Sequence, residues 1–254
     1  MAGFFIGWHS RILEFMTPSL LILTGAGVSA ESGLGTFRDT DGIWSKFDWQ
    51  KLASPEGFAE NPIAVHEFYN ARRAGLLDAG PNAAHSALAM LEAAWVRSGG
   101  EFTLVTQNID DLHERAGSER LIHMHGELLR SRCGACGDLK DCRTDLSIAM
   151  ACSSCGRDGQ LRPHVVWFGE IPIGMDEIFG CLGRATHFAA IGTSGSVWPA
   201  AGFAEETARA GAATYELSLE AGDSGHSFQH TLYGPATQTV PDWCEAVIAE
   251  AFST

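Results

Sequence analysis

Two pairs of cysteines carry the most specific chemical signal in the sequence. Cys133 and Cys136 form one C-x-x-C unit, Cys152 and Cys155 a second, and 15 residues separate the pairs. Four thiolates in two tight pairs close a tetrahedron around zinc, and a closed four-sulfur shell leaves no position for water or substrate, so the metal it implies is structural. Each pair precedes a glycine, Gly137 or Gly156, suited to a tight knuckle. Two disulfides are the competing reading. Cys142, Cys181 and Cys244 bring the cysteine count to seven and share no partner pattern, which reads as a reduced, cytoplasmic set. Cys142 lies between the pairs, but its spacing fits neither.

A second signal is glycine placed at the end of a buried strand. Leu20 to Leu23 is an uninterrupted apolar run suited to a strand covered on both faces, and it stops at Gly25-Ala26-Gly27. Two glycines let the backbone turn tightly beside a ligand, and a helix opening at Val28 would present free amides to a pyrophosphate. Alone, this pattern fits a plain strand-to-helix turn equally well. A hydride-transferring dehydrogenase would run on to an acidic residue about 20 positions later. Here Gly33 and Gly35 cut the helix, and a polar, aromatic loop with Thr36, Phe37, Arg38 and Trp44 follows, suited to folding over a ligand. Polar clusters also end two later apolar runs. Phe102 to Val105 leads into Thr106-Gln-Asn-Ile-Asp-Asp-Leu-His-Glu-Arg-Ala-Gly117, and His187 to Ile191 leads into Gly192-Thr-Ser-Gly-Ser196.

Leu121 to Gly126 reads as a third short strand ending at His125 and Gly126. A lone histidine is more often structural than catalytic, although an imidazole titrating near neutral pH suits proton abstraction from a hydroxyl. Tyr69 and Arg72 are three positions apart, hence neighbours on one helical face. By residue type alone this is a half-buried tyrosine beside a solvated arginine.

Together these runs resemble the sirtuin family of NAD-dependent protein deacylases. The resemblance rests on Gly25 to Arg38, Thr106 to Gly117, His125-Gly126, the cysteine pairs, Leu161-Arg-Pro-His-Val-Val-Trp-Phe-Gly-Glu170 and Gly234-Pro-Ala236, in family order. Leu34 and Gly35 stand where the family usually has isoleucine and then proline, lysine or arginine, and Ser218 stands where it usually has asparagine. The resemblance implies that NAD is held by Gly25, Ala26, Gly27, Ala30, Glu31, Thr36, Phe37, Arg38 and Trp44. Around the nicotinamide ribose it implies Gln107, Asn108, Ile109 and Asp110, and along the rest of the cofactor Gly192, Thr193, Ser194, Ser218, Leu219, Glu220 and Ala236. His125 becomes the general base, and His113 and His123 stay structural. Val166 and Phe168 would flank an acyl-lysine tunnel with Trp167 at its rim, and the segment 161–170 would pair with substrate peptide as an added strand.

The branch of the family that removes succinyl and malonyl groups carries a Tyr-x-x-Arg pair and a small alanine, matched here by Tyr69, Arg72 and Ala53. A guanidinium with a phenol suits a distal carboxylate. The implied activity is removal of acetyl, and through Tyr69 and Arg72 succinyl or malonyl, from protein lysines, with release of nicotinamide and O-acyl-ADP-ribose. The alternatives are an NAD-dependent mono-ADP-ribosyltransferase and a non-catalytic acyl-lysine reader.

Positioning these groups requires strands that end together. The expected fold is α/β, a Rossmann-type parallel sheet with helices on both faces, drawn from about 16–46, 100–127 and 160–254. A small lobe would combine a helical insertion at about 47–99 with the zinc module at about 128–159. Residues 1–15 read as an N-terminal extension without a signal peptide's basic start or sustained apolar core, and Met16 is a candidate start. Helices are expected from Pro81-Asn82 to Gly99, from Pro199 to Gly211 and from Pro241 to Phe252, with a strand over Thr214 to Leu219. At 254 residues, with 45% hydrophobic and 19% charged residues, the composition is that of a soluble globular enzyme. A net charge of -14 and the lack of a Lys/Arg cluster argue against direct nucleic-acid binding. No apolar stretch reaches the roughly 18 residues that cross a bilayer. The expected partners are acylated lysines in proteins; oligomeric state is not legible, and a monomer is compatible.

Overall fold

Ser19–Thr24 forms β1, and all six residues are buried because the strand lies at the centre of a sheet covered on both faces. In the computed structural model, which describes residues 17–35, 49–220 and 228–252, β1 pairs with β2 (Glu101–Thr106) on one side and β7 (His187–Ile191) on the other. β3 (Leu121–His123) lies outside β2, while β8 (Ala213–Ser218) and then β9 (His230–Tyr233) extend the sheet beyond β7. Every pairing is parallel. The expected extension at 1–15 and the loop residues Thr36, Phe37, Arg38 and Trp44 lie outside the described residues.

Alternation along β1 divides the core. Leu20 and Ile22 pack with Leu88, Leu91 and Trp95 of α5 (Ala83–Arg97) and with Trp243 and Val247 of α9 (Ala236–Phe252). Leu21 and Leu23 face the other way, onto Ile178 and Leu182 of α7 (Met175–Leu182) and Phe203 of α8 (Phe203–Arg209). Helix α5 was expected in the small lobe, but its apolar face is continuous with the sheet's core. Its cap explains the placement. The Asn82 side chain accepts from Ala84 N at 2.9 Å and donates to Val28 O at 2.9 Å, tying α5 to α1 (Ala26–Ala30). Such a cap contributes about 1 kcal/mol.

The helical part of the smaller lobe is therefore α2 (Trp49–Leu52), α3 (Pro55–Glu60) and α4 (Pro62–Asp78). It packs through Val65, Phe68, Tyr69 and Leu76 onto Leu128, Val165 and Trp167. The zinc-module strands β4 (Gly126–Cys133), β5 (Leu139–Asp141) and β6 (Leu161–Val165) form a separate antiparallel sheet in the order β5–β4–β6.

Several elements differ from expectation, among them the helix read from Pro199, which begins as helix α8 only at Phe203. The strand read to Gly126 stops at His123: Met124 and His125 form a turn, and Gly126, with φ +82 and so close a fit that a Cβ there would lie 2.2 Å from His164 O, already opens β4. The last helix begins at Ala236 and carries Pro241 inside it. Strand β9 gave no signal, being a short edge strand with His230, Thr231 and Tyr233 exposed.

Candidate active site

From β1 the chain moves through β2 to β3 on one side of the sheet, then through β7, β8 and β9 on the other, so the order reverses between β1 and β7. The crevice beyond the carboxyl ends at such a reversal is where open α/β sheets take ligands. Gly25 and Gly27 after β1 meet Gly192 after β7 there. Gly25 N donates to Ile191 O at 3.0 Å, Gly27 N to Gly192 O at 2.8 Å, and Gly192 N to Leu217 O at 2.8 Å. A Cβ on Gly27 would lie 2.7 Å from Gly192 Cα, and one on Gly192, whose φ is +62, would lie 2.5 Å from Val28 N. Glycine is thus required first by a backbone-to-backbone seam, a constraint the sequence pattern did not reveal.

Beside the seam runs a buried polar network. Gln107 Nε2 donates to Thr193 Oγ1 at 2.8 Å. Asn108 Nδ2 donates to Gly25 O and to Ser29 Oγ, both at 3.1 Å. Ser29 Oγ in turn donates to Asp110 Oδ2 at 3.0 Å, and Leu112 N, at the start of α6 (Leu112–Ala116), donates to Asp110 Oδ1 at 3.2 Å. Burial raises the Asp110 carboxyl above its ordinary range, opposed by these bonds. Behind them Thr24 Oγ1 donates to Thr106 Oγ1 at 2.9 Å, so the contact of 3.1 Å between His113 Nε2 and Thr24 Oγ1 has the imidazole as donor. Burial pushes His85 down to about 4 and His113 well below its ordinary value, so both rings stay neutral. Ser29, which joins Asn108 to Asp110, was not among the expected site residues. Its signal was its place inside the glycine run.

His125 occupies the turn between the parallel and antiparallel sheets, one residue before β4. Its Nδ1 lies 3.1 Å from Gln107 O, and a carbonyl can only accept, so Nδ1 carries the proton and Nε2 is the basic nitrogen. Burial lowers the His125 pKa, with the Gln107 carbonyl opposing. His123 behaves differently. Burial would lower it too, but Glu114 Oε1 at 2.6 Å from Nε2 raises it above the ordinary value.

A second cluster near Asp110 is an aromatic box. Tyr69 is buried, and its hydroxyl accepts from Trp167 Nε1 at 3.0 Å. The Arg72 guanidinium carbon lies 5.7 Å from the Phe68 ring centre and 5.9 Å from that of Tyr69. Burial lowers the Arg72 pKa, opposed by Tyr69 and Asp110, yet a guanidinium remains charged in any protein setting. Val166 N donates to His125 O at 2.8 Å and Phe168 N to Ala53 O at 2.9 Å, so one short segment touches both the base and the box. Trp167, expected at a rim, is only 2% exposed, whereas Phe168 is 48% exposed. The tryptophan turns inward because its indole N–H has a buried partner.

Around β8 and β9, Ser218 Oγ donates to Glu220 O at 2.5 Å, and Leu219 and Glu220 are exposed. Glu31 Oε2 accepts from Thr237 N at 2.9 Å and pins the first turn of α9, which begins at Ala236, to the end of α1. Ala26 and Ala30 bound α1, Ser194 Oγ lies 2.7 Å from Ser196 Oγ, and Ile109 O accepts from Leu128 N at 2.8 Å. The described cofactor-side residues thus spread along the carboxyl edge of the sheet, with Gln107, Asn108, Asp110 and Thr193 brought together most closely.

The four cysteines converge. Their sulfurs lie within 4.8 Å of one another, with Cys133–Cys155 and Cys136–Cys152 each at 3.8 Å. A disulfide needs about 2.05 Å. A tetrahedron of sulfurs about 2.3 Å from zinc has edges of roughly 3.8 Å, so the donor set fits the metal. Both knuckles repeat one backbone pattern: Gly137 N donates to Cys133 O at 2.9 Å and Gly156 N to Cys152 O at 2.7 Å. Cys142 stays outside the cluster, its thiol directed to Thr144 O at 3.4 Å.

Residues 25–199 match the model of the Sir2 family. An NAD-dependent protein deacylase of Caulobacter vibrioides is 56% identical over 230 residues, covering 91% of this chain and 97% of that protein. A crystal structure of a Sir2 homologue in complex with NAD superposes with a TM-score of 0.83 at 36% identity, covering 96% of each chain. A Sir2 protein bound to an acetylated peptide superposes at 0.76 with 26% identity, covering 96% of this chain and 99% of that one. Among the described residues no helix is long and apolar enough to cross a membrane.

Proposed function

This chain belongs to the Sir2 family and is a sirtuin-type NAD-dependent protein deacylase, and on that premise we propose that it removes acetyl groups and, through Tyr69 and Arg72, succinyl or malonyl groups from protein lysines. NAD, consumed as a substrate, supplies a ribose whose anomeric carbon takes the acyl oxygen as nicotinamide leaves. In this reading the products are nicotinamide, free lysine and O-acyl-ADP-ribose, and the enzyme works in the cytoplasm.

His125 takes the proton of a ribose hydroxyl at Nε2, because Nδ1–H is fixed on Gln107 O. Asn108 and Asp110 orient the nicotinamide side, held by Ser29. The buried box around Tyr69 and Trp167 excludes water that would otherwise capture the electrophilic sugar. The four cysteines would hold zinc, which fixes the antiparallel module and has no open position for chemistry.

The observation that carries the acyl assignment is the guanidinium of Arg72 beside the buried phenol of Tyr69, a cation and a neutral donor on an otherwise apolar wall. An acid-bearing acyl group uses both; acetyl uses neither. The test is mass spectrometry of matched acetyl- and succinyl-lysine peptides with and without NAD, for the wild type and Arg72→Met. NAD-dependent loss of both groups is expected, with desuccinylation falling about 10–100-fold in the variant. Full desuccinylation by Arg72→Met would refute the carboxylate role. Nicotinamide release without loss of either acyl group would favour ADP-ribosyl transfer, and absence of any NAD consumption would favour a reader.

A further inference from the structure

The geometry points to Trp167 as a positioning residue for acyl-group selection: its indole N–H occupies one side of the Tyr69 hydroxyl and thereby aims the phenol hydrogen at the carboxylate of a succinyl- or malonyl-lysine. The inference rests on the carboxylate role of Tyr69 and Arg72 proposed above.

A phenolic hydrogen prefers the plane of its ring, where it has two positions. The donor Nε1 at 3.0 Å from Tyr69 Oη meets the oxygen's acceptor side and so selects the other position. Both side chains are 2% exposed, so no water competes freely for that oxygen. Burial raises the Tyr69 pKa, which keeps the phenol a neutral donor at physiological pH.

Trp167 is itself held rigidly. The Arg162 guanidinium carbon lies 3.3 Å from the centre of the Trp167 ring. Arg162 is clamped by Glu170 through Nη1–Oε1 at 2.7 Å and Nη2–Oε2 at 2.9 Å, and its Nη2 also donates to Val165 O at 2.7 Å. The same Glu170 accepts from Trp167 N at 2.8 Å. One carboxylate therefore fixes both the backbone and the stacking cation of the residue that directs the phenol. Phe58, with ring centres 5.3 Å from those of Trp167, closes the other flank. An acetyl group ends in a methyl and offers no distal acceptor to the aimed hydrogen, so the arrangement bears on acidic acyl groups alone.

Trp167→Phe keeps an aromatic ring beneath Arg162 and deletes the N–H. The ratio of desuccinylation to deacetylation, measured as kcat/KM, is expected to fall about tenfold, with the loss in the KM for succinyl-lysine peptide. Placed on Tyr69→Phe, the same change is expected to leave the ratio where Tyr69→Phe alone sets it, because the hydroxyl to be aimed is gone. A constant ratio in Trp167→Phe, or equal effects on the two backgrounds, would overturn the inference. If the wild type fails to desuccinylate, or Arg72→Met keeps full desuccinylation, the carboxylate reading itself fails and the role of Trp167 falls with it; if Arg72 matters and Trp167→Phe does not alter the ratio, only the role of Trp167 fails.

Discussion

Where β1, β2 and β7 end, Asn108, Ser29 and Asp110 are joined by side-chain hydrogen bonds of 3.1 and 3.0 Å and backed by a seam of three glycines. In the aromatic box, Tyr69 accepts a hydrogen bond from Trp167 and packs against ring neighbours such as Phe68, with ring centres 5.0 Å apart. Directional bonds in a buried network fix one ligand geometry, since a displaced partner leaves an unsatisfied polar group. Aromatic packing fixes a volume and tolerates occupants of different length. The polar side suits a cosubstrate that never varies, and the aromatic side suits acyl groups that do.

This contrast breaks if a change on the polar side discriminates between acyl groups. His125→Ala is expected to lower kcat for acetyl- and succinyl-lysine peptides alike by about 10²–10⁴, with NAD still bound in a calorimetric titration; a loss confined to one acyl group would move His125 to the other side of the comparison. Ser29→Ala removes the link between Asn108 and Asp110, leaving two buried groups short of a partner at about 1–3 kcal/mol. That predicts a loss of roughly 10–100-fold, equal for both acyl groups, in steady-state assays.

The smallest expected effect is in the pH profile. Burial lowers the His125 pKa, so its basic form persists below the ordinary histidine range and is lost only as pH falls through the depressed value. At about pH 6.5, where an ordinary imidazole is half protonated, kcat/KM is expected to remain above half its plateau with either substrate. An acidic limb at higher pH for the succinyl peptide alone would reveal a titrating group on the aromatic side and sharpen the division.

The two sides also differed in what the sequence disclosed. Residues 106–117 follow β2 and His125 follows β3, and these strands pair in parallel, so both runs leave the sheet at one edge; the roles expected of Asn108, Asp110 and His125 came from the resemblance to the family. The cysteine pairs were legible because their spacing is itself the geometry of the site. The contact of Trp167 with Tyr69 joins residues 98 apart in sequence, and no local pattern encodes it. The seam was hidden for the same reason: Gly27 looked like an accommodation to a ligand, while the atom that excludes its Cβ belongs to Gly192. The packing of helix α5 was not legible because its neighbours in sequence belong to other helices while its apolar face meets the sheet.

Strand β4 starts at Gly126, next to His125, and ends at Cys133, a corner of the sulfur tetrahedron. The seven residue steps between them span at most roughly 23 Å. In machining terms the cysteine knuckle is a distant datum from which the His125 imidazole is gauged: a tilt of about 3° at the far end displaces the near end by roughly 1 Å, and under the proposed role of His125 an error of that size slows the reaction about a hundredfold. The cysteines do no chemistry, yet they set the tolerance to which the chemistry is machined.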